Sequence, residues 1–267
     1  MRILLLILLI PLLSYCNTPE AGHTPSDKDS IDTKESTVKQ KPSTPEYKNI
    51  DKAHLLGHIK AAKDTLFQEI PVPIANREGL YIQKSVLKAF RKMRNAAKND
   101  GVHIKIISAY RSFNYQKWIW DSKFDGRRKS GNKNMLSSYP DPFKRVEAIL
   151  NYSAMPGTSR HHWGTDIDIN SVNTSYFETA KGKKVYEWLT NHAHEYGFCQ
   201  TYTAGREDGY NEEQWHWSYL PLAKHYYHNF AKKITYKDIS GFKGSKFAKE
   251  LNVIQRFVLN NINPECK

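Results

Sequence analysis

The sequence predicts an α+β domain built on a small, mostly antiparallel sheet with flanking helices. Two observations carry that prediction. Segments of helical period and short alternating segments are mixed along the chain, without a regular strand–helix–strand alternation. The chain has 267 residues, with 16 Tyr and 6 Trp to fill a core. That length suits one good-sized domain with appendages, or two small ones. No internal repeat is visible.

The first folded element is a helix over 85–100. Val86, Phe90, Met93 and Ala97 recur at helical spacing, and Gly101 supplies the stop. VHIKIIS, residues 102–108, is rich in β-formers and reads as a strand. A helix follows from Arg111 to about Trp120, then a basic loop over 126–134, then a helix over 142–152. TDIDIN, residues 165–170, alternates as a strand. Residues 182–196 form a helix stopped by Gly197. FCQTY and QWHWSYL read as two more strands. Residues 240–261 are expected to close the domain as one helix, with Phe247, Leu251, Ile254 and Val258 on one face.

The N-terminus is of another kind. MRILLLILLIPLLSYC has one arginine and an apolar run from Ile3 to Leu13, too short for a comfortable bilayer span. It reads as an export signal over 1–16. Leu13-Ser14-Tyr15-Cys16 resembles a bacterial lipobox, with Tyr15 where Gly, Ala or Ser is usual. Cys16 is therefore expected to carry lipid. Residues 17–47 are rich in Thr, Ser, Pro, Lys and Asp and read as a flexible tether. A working domain is expected over 48–235, with 236–267 as a helical extension packed on it. The formal net charge is +13, which suits an anionic partner. Export excludes nucleic acid and leaves membrane headgroups or an acidic polymer. After Cys16 only Cys199 and Cys266 remain, either paired or as two separate buried thiols. The chain has no zinc-type cysteine pair, so a metal here needs His and carboxylate.

Two stretches carry the chemistry. In SRHHWGTDIDIN, strand parity puts Ile167 and Ile169 on one face and Asp166, Asp168 and Asn170 on the other. His161 sits in the turn between Gly157 and Gly164 and can fold back toward Asp168. In NEEQWHWSYL, Glu213 and His216 are three apart, so a regular strand sends them to opposite faces. If both serve one site, Glu213 must lie at the start of the strand or in a bulge. Two imidazoles and a carboxylate form a three-ligand set for catalytic zinc, with a nearby second carboxylate as base. Taken by spacing alone, each histidine can equally be one of 11 ordinary ones, packed or solvated.

Ser159-x-His161-x-x-Gly164-x-Asp166-x-Asp168, followed by Glu213-x-Trp215-His216, resembles the signature of VanY-type zinc D-alanyl-D-alanine carboxypeptidases. Ser108-Ala109-Tyr110-Arg111-Ser112 with Gln116 resembles their remaining motif. The resemblance covers roughly residues 75–222 and implies the Hedgehog/D,D-peptidase fold. It implies His161, Asp168 and His216 as ligands of one Zn2+, and Glu213 as the base. Arg111 would face the scissile carbonyl or terminal carboxylate, with Gln116 and Ser159 near the substrate's C-terminal residue. His162 and Asp166 would stand behind the ligands or line the cleft. Asp166 falls where the family often has alanine, Gln214 where it has proline, and Gln200-Thr201-Tyr202 departs after the Gly-Phe turn. The activity implied is removal of the C-terminal D-alanine from peptidoglycan stem peptides; with the export signal, the expectation is a membrane-anchored monomer facing the periplasm or cell wall. An L,D-carboxypeptidase, an endopeptidase and a non-catalytic wall-binding lipoprotein are the rival readings.

Overall fold

The computed structural model describes residues 49–267. The expected signal, tether and lipidated Cys16 lie outside the described residues.

The first described elements are helix α1 (Lys52–Leu56) and a two-stranded antiparallel ribbon, β1 (Phe67–Glu69) with β2 (Tyr81–Gln83). Helix α2 (Lys84–Asn99) buries Val86, Leu87, Phe90, Met93 and Ala97, the stripe its period predicts. Burying an aliphatic or phenyl side chain of this kind contributes about 1.5–3 kcal/mol. Strand β3 (Ile106–Ser108) leads to α3 (Phe113–Phe124), capped by Ser112, whose hydroxyl accepts from the Tyr115 amide at 3.2 Å. Short α4 (Met135–Ser138) precedes α5 (Pro142–Leu150), which starts on Pro142 and is capped by Asp141. Strand β4 (Asp166–Ile169), α6 (Thr174–Glu178), α7 (Ala180–His192), β5 (Phe198–Gln200), β6 (His216–Tyr219) and α8 (Leu220–Lys233) complete the regular elements.

The main sheet has order β3-β4-β6-β5, every neighbour antiparallel. The predicted class is therefore the observed one. The register pairs Ile167 with Trp217, and Asp168 with His216. Directly opposed residues share a face, so one face of the central pair is apolar and the other polar. The apolar face joins the core, with the Phe198 and Phe90 rings 6.5 Å apart.

The C-terminal segment differs from its expectation. Residues 240–261 do not form one helix. A single turn at Ser245–Phe247 is followed by six π-helical residues, Ile254–Leu259. Between them Asn252 takes a left-handed φ of 49°. The apolar period still buries its residues: the Phe247 ring lies 5.4 Å from Phe143, and Leu251, Ile254 and Val258 are in the core. Phe242 packs 6.0 Å from Trp120, whose indole N–H donates to Lys243 O at 2.8 Å. Residues 236–267 thus share one hydrophobic core with the rest. Cys266 is bonded to Cys199 of β5, across a separation of 67 residues.

Candidate metal centre

His161 lies in a short 3-10 turn, Arg160–Trp163, that ends on Gly164 at φ 66°. A Cβ at Gly164 would meet Phe67 Cε1 at 2.3 Å, so the position needs glycine for conformation and for space. The turn delivers His161 just ahead of β4. The β4–β6 register then sets Asp168 beside His216. His161 Nε2 is 3.3 Å from Asp168 Oδ1, and His216 Nδ1 is 3.4 Å from the same oxygen. One ligand atom from each of the three residues falls within 4.8 Å of the others, and all three residues are buried.

The tautomers agree with metal binding. His161 Nδ1 lies 2.8 Å from Ala109 O, which can only accept, so Nε2 carries the lone pair. His216 Nε2 lies 2.9 Å from Asp166 Oδ2, so Nδ1 is the nitrogen left to face the metal position. His161 Nε2 and Asp168 Oδ1 are buried and have no hydrogen-bond partner. Such atoms carry a desolvation cost that a cation would remove. The donor set fits a divalent metal of the zinc type.

Glu213 precedes β6, and the His216 amide donates to its carbonyl at 3.2 Å, closing a turn. That turn resolves the parity problem: Glu213 sits at the start of the strand. Its Oε2 comes to 3.2 Å from His216 Nδ1. Arg111 is held on the opposite side of Asp168. Its amide donates to His161 O at 3.1 Å. Its guanidinium donates to Ser108 Oγ at 3.1 Å, Gln116 Oε1 at 3.2 Å and Asp168 Oδ2 at 3.0 Å. Gln116 is buried and anchored by donation to Ala154 O at 2.8 Å. Ser159 is buried at the head of the His161 turn.

The ionisation states follow from this packing. Burial pushes the His161 cation down, with Arg111 adding to the effect. Burial also opposes the Asp168 carboxylate, but His161, His216 and Arg111 hold its pKa well below the usual range. Burial opposes the His216 cation too, and the carboxylates of Asp166, Asp168 and Glu213 outweigh burial. A metal held at Nδ1 would take the place of that proton.

Of the two expected placements for Asp166 and His162, behind the ligands or lining the cleft, both residues take the first. Asp166 does not line a cleft: it is wholly buried under the ligands. Arg160 Nε is 2.9 Å away, and Thr165 and Ser218 hydroxyls donate to its other oxygen at 2.6 and 2.8 Å. Burial opposes its charge, but Arg160 and His216 hold the carboxyl far down. His162 is buried as well and is turned away from the metal. It donates through Nδ1 to Arg111 O at 2.6 Å and accepts at Nε2 from the Gly157 amide at 3.0 Å. Burial pushes it down to about 3, so it stays neutral and braces the Arg111 backbone. Asn170 leaves the strand at φ 61° and bonds Lys105 and His103 backbone instead. Ser218 carries no signal for this role in the sequence, because it meets Asp166 only across the β4–β6 pair, whereas Arg160 reaches Asp166 from the turn six residues ahead.

Residues 79–222, more than half of the chain, match the VanY: D-alanyl-D-alanine carboxypeptidase family. The chain belongs to this family. Among similar proteins, YodJ of Bacillus subtilis is 33% identical over 150 residues, 52% of this chain and 46% of that protein. A D-alanyl-D-alanine carboxypeptidase of Enterococcus faecalis is 30% identical over 130 residues, 48% of this chain and 44% of that protein. The chain thus spans under half the length of either curated relative. A solved VanY D,D-pentapeptidase mutant in complex with Zn(II) is 25% identical, with TM-score 0.45, covering 63% of this chain and 87% of that one. The Cys199–Cys266 disulfide belongs to oxidising compartments. With the VanY assignment it points to an extracytoplasmic protein.

Proposed function

We propose that this protein is a zinc D,D-carboxypeptidase that removes the C-terminal D-alanine of peptidoglycan stem peptides. The observation that carries the reading is the buried His161–Asp168–His216 cluster with Glu213 on one side and Arg111 on the other. Zinc held by His161 Nε2, Asp168 and His216 Nδ1 would supply a Lewis acid and a water of lowered pKa. Glu213 then takes the proton of the attacking water and hands it to the leaving amine. Its side chain keeps 18% exposure, enough to meet a substrate. Arg111 has five N–H groups. Three are engaged with Ser108, Gln116 and Asp168, and the remaining two can meet the substrate's carbonyl or carboxylate. Gln116 and Ser159 flank the substrate's terminal residue.

The apolar N-terminal run and Cys16 add an address: a lipidated chain tethered to the membrane by residues 17–47, working as a monomer on the wall. The +13 charge favours encounter with anionic stem peptides without selecting the bond that is cut.

The test is mass spectrometry of stem pentapeptide and tetrapeptide, each incubated with the full chain, with zinc or with a chelator. Loss of one D-alanine from the pentapeptide, blocked by chelator, supports the reading. Cleavage of the tetrapeptide alone moves the activity to an L,D-carboxypeptidase. No cleavage of either removes it.

A further inference from the structure

Helix α3 carries three charged side chains; Lys117 and Asp121 pair with each other, and Lys123 is left over. Gln116, Trp120 and Lys123 are spaced four and three apart and share one face of the helix. Gln116 donates to the Ala154 carbonyl, and Lys123 Nζ donates to the Ser153 hydroxyl. Consecutive residues of one loop thus take two side chains from the same face. Helical side chains lean toward the helix N-terminus, which brings the Lys123 ammonium back toward Gln116. Gln116 Oε1 in turn accepts from Arg111 Nη1 at 3.2 Å. Lys123 therefore belongs to the wall that carries Arg111.

Among the described residues Lys123 has no ion-pair partner. Among the described residues, the charged groups that act on Lys123 are Arg128 and Arg111, which repel it, and Glu213, which attracts it. None of these is an ion-pair partner; its hydrogen bond goes to a neutral hydroxyl. Burial, with the two arginines, pushes the ammonium down to about 8, so it remains mostly charged at neutral pH. Lys123 is half-buried, and a cation partly withdrawn from water without a counter-ion carries a cost. Here the cost is incurred within electrostatic reach of Arg111 and Glu213. The arrangement lacks one anion.

We propose that Lys123, steadied by Ser153, is a second cation beside Arg111 in receiving the free C-terminal carboxylate of the peptide substrate. The inference rests on the peptidase reading above. An endopeptidase would place a neutral backbone carbonyl there and leave Lys123 without its counter-charge. The ligand class is a peptide with a free terminal carboxylate; its amide lacks the charge that Lys123 needs.

The experiment measures binding without turnover, in the zinc-loaded full chain carrying Glu213→Gln. Calorimetry compares the stem pentapeptide as free acid with the same peptide amidated at its C-terminus. The parent is expected to prefer the acid at least tenfold, about one charge-assisted hydrogen bond. Adding Lys123→Met should cut that preference at least fivefold by weakening the acid alone, and Lys123→Arg should keep it. A role in folding only would weaken both peptides alike. An unchanged preference in Lys123→Met, equal weakening of both peptides, or no preference in the parent overturns the proposal. Turnover by the wild-type chain separates the two readings. Acid-selective binding that depends on Lys123, with no alanine released, sinks the peptidase reading and leaves the anion site. Alanine release with the Lys123→Met preference unchanged sinks the anion site alone.

Discussion

His216 Nε2 lies 2.9 Å from Asp166 Oδ2, and the same oxygen is 2.9 Å from Arg160 Nε. All three side chains are at most 4% exposed. Asp166 thereby fixes the tautomer that points His216 Nδ1 at the metal position and neutralises a buried guanidinium. Asp166→Ala is expected to lower zinc affinity about 10–100-fold. It also leaves Arg160 buried and unpaired, which costs about 3–5 kcal/mol of stability. Asp166→Asn keeps an acceptor for both partners and should lose less of each. Competition with a chromogenic chelator and urea unfolding read the two effects. Unchanged affinity in Asp166→Ala would remove Asp166 from the support of His216.

Glu213 differs from the ligands in what its loss should do. Its carboxylate is 3.2 Å from His216 Nδ1 but lies outside the His161–Asp168–His216 set. Glu213→Ala is expected to keep one zinc per chain while turnover falls about 10²–10⁴-fold, the usual size of a lost general base. His216→Ala should lose metal and activity together. Metal analysis on the purified variants beside their rates checks both. A Glu213→Ala protein as fast as wild type would remove the base.

Much of this site was legible before the structure, and the reason is chemical. Zinc chemistry demands particular residue types, and His161, Asp168, Glu213 and His216 stand in the required order. Strand parity even required Glu213 to leave the strand, and a turn ahead of His216 is where it sits. Partners supplied across the sheet were not legible. Asp166 shares a face with Asp168, but its partner Ser218, 52 residues on, is brought opposite it only by the β4–β6 register. The fold divides likewise. Helix α2 followed from its apolar period alone. Helix α8 was missed because it begins directly at the end of β6, although Pro221 in its first turn is a helix-start signal. The closing segment kept its buried period but not its helix, since Asn252 at φ 49° interrupts it. Periodicity reports which residues are buried more surely than the backbone that buries them.

The Cys199–Cys266 bond ties β5 to the last turn of the chain. Asn263 reinforces it, with its amide donating to Thr201 O at 2.9 Å and its side chain to Gln200 O at 3.0 Å. Closing a loop of 67 residues removes denatured-state entropy worth about 4 kcal/mol. Cys266→Ser is therefore expected to cost about 2–4 kcal/mol in chemical denaturation. Since β5 neighbours β6, the loosened strand should also expose His216 to faster metal loss. Equal stability of wild type and variant under oxidising conditions would show that the tail docks without the bond.

Lys123 yields a prediction of opposite sign. Its folded-state pKa, about 8, lies below the ordinary 10.5, so the fold disfavours the charged form. The penalty is fully present below pH 8, where the side chain is charged folded and unfolded. It shrinks as pH rises from 8 to 10.5 and vanishes above that. Lys123→Met removes the penalty while keeping the apolar stem. The variant should be more stable than wild type at pH 7 by about 1–3 kcal/mol, with the gain fading toward pH 10.5. Thermal unfolding of both proteins at pH 7, 9 and 10.5 checks the sign and the window. A stabilised variant with weakened recognition of the free carboxylate would mean that the lysine is held against the fold's own preference, in readiness for an anion. A variant less stable at pH 7 would mean that Ser153 and the surrounding packing already satisfy the ammonium, and that no anion is missing.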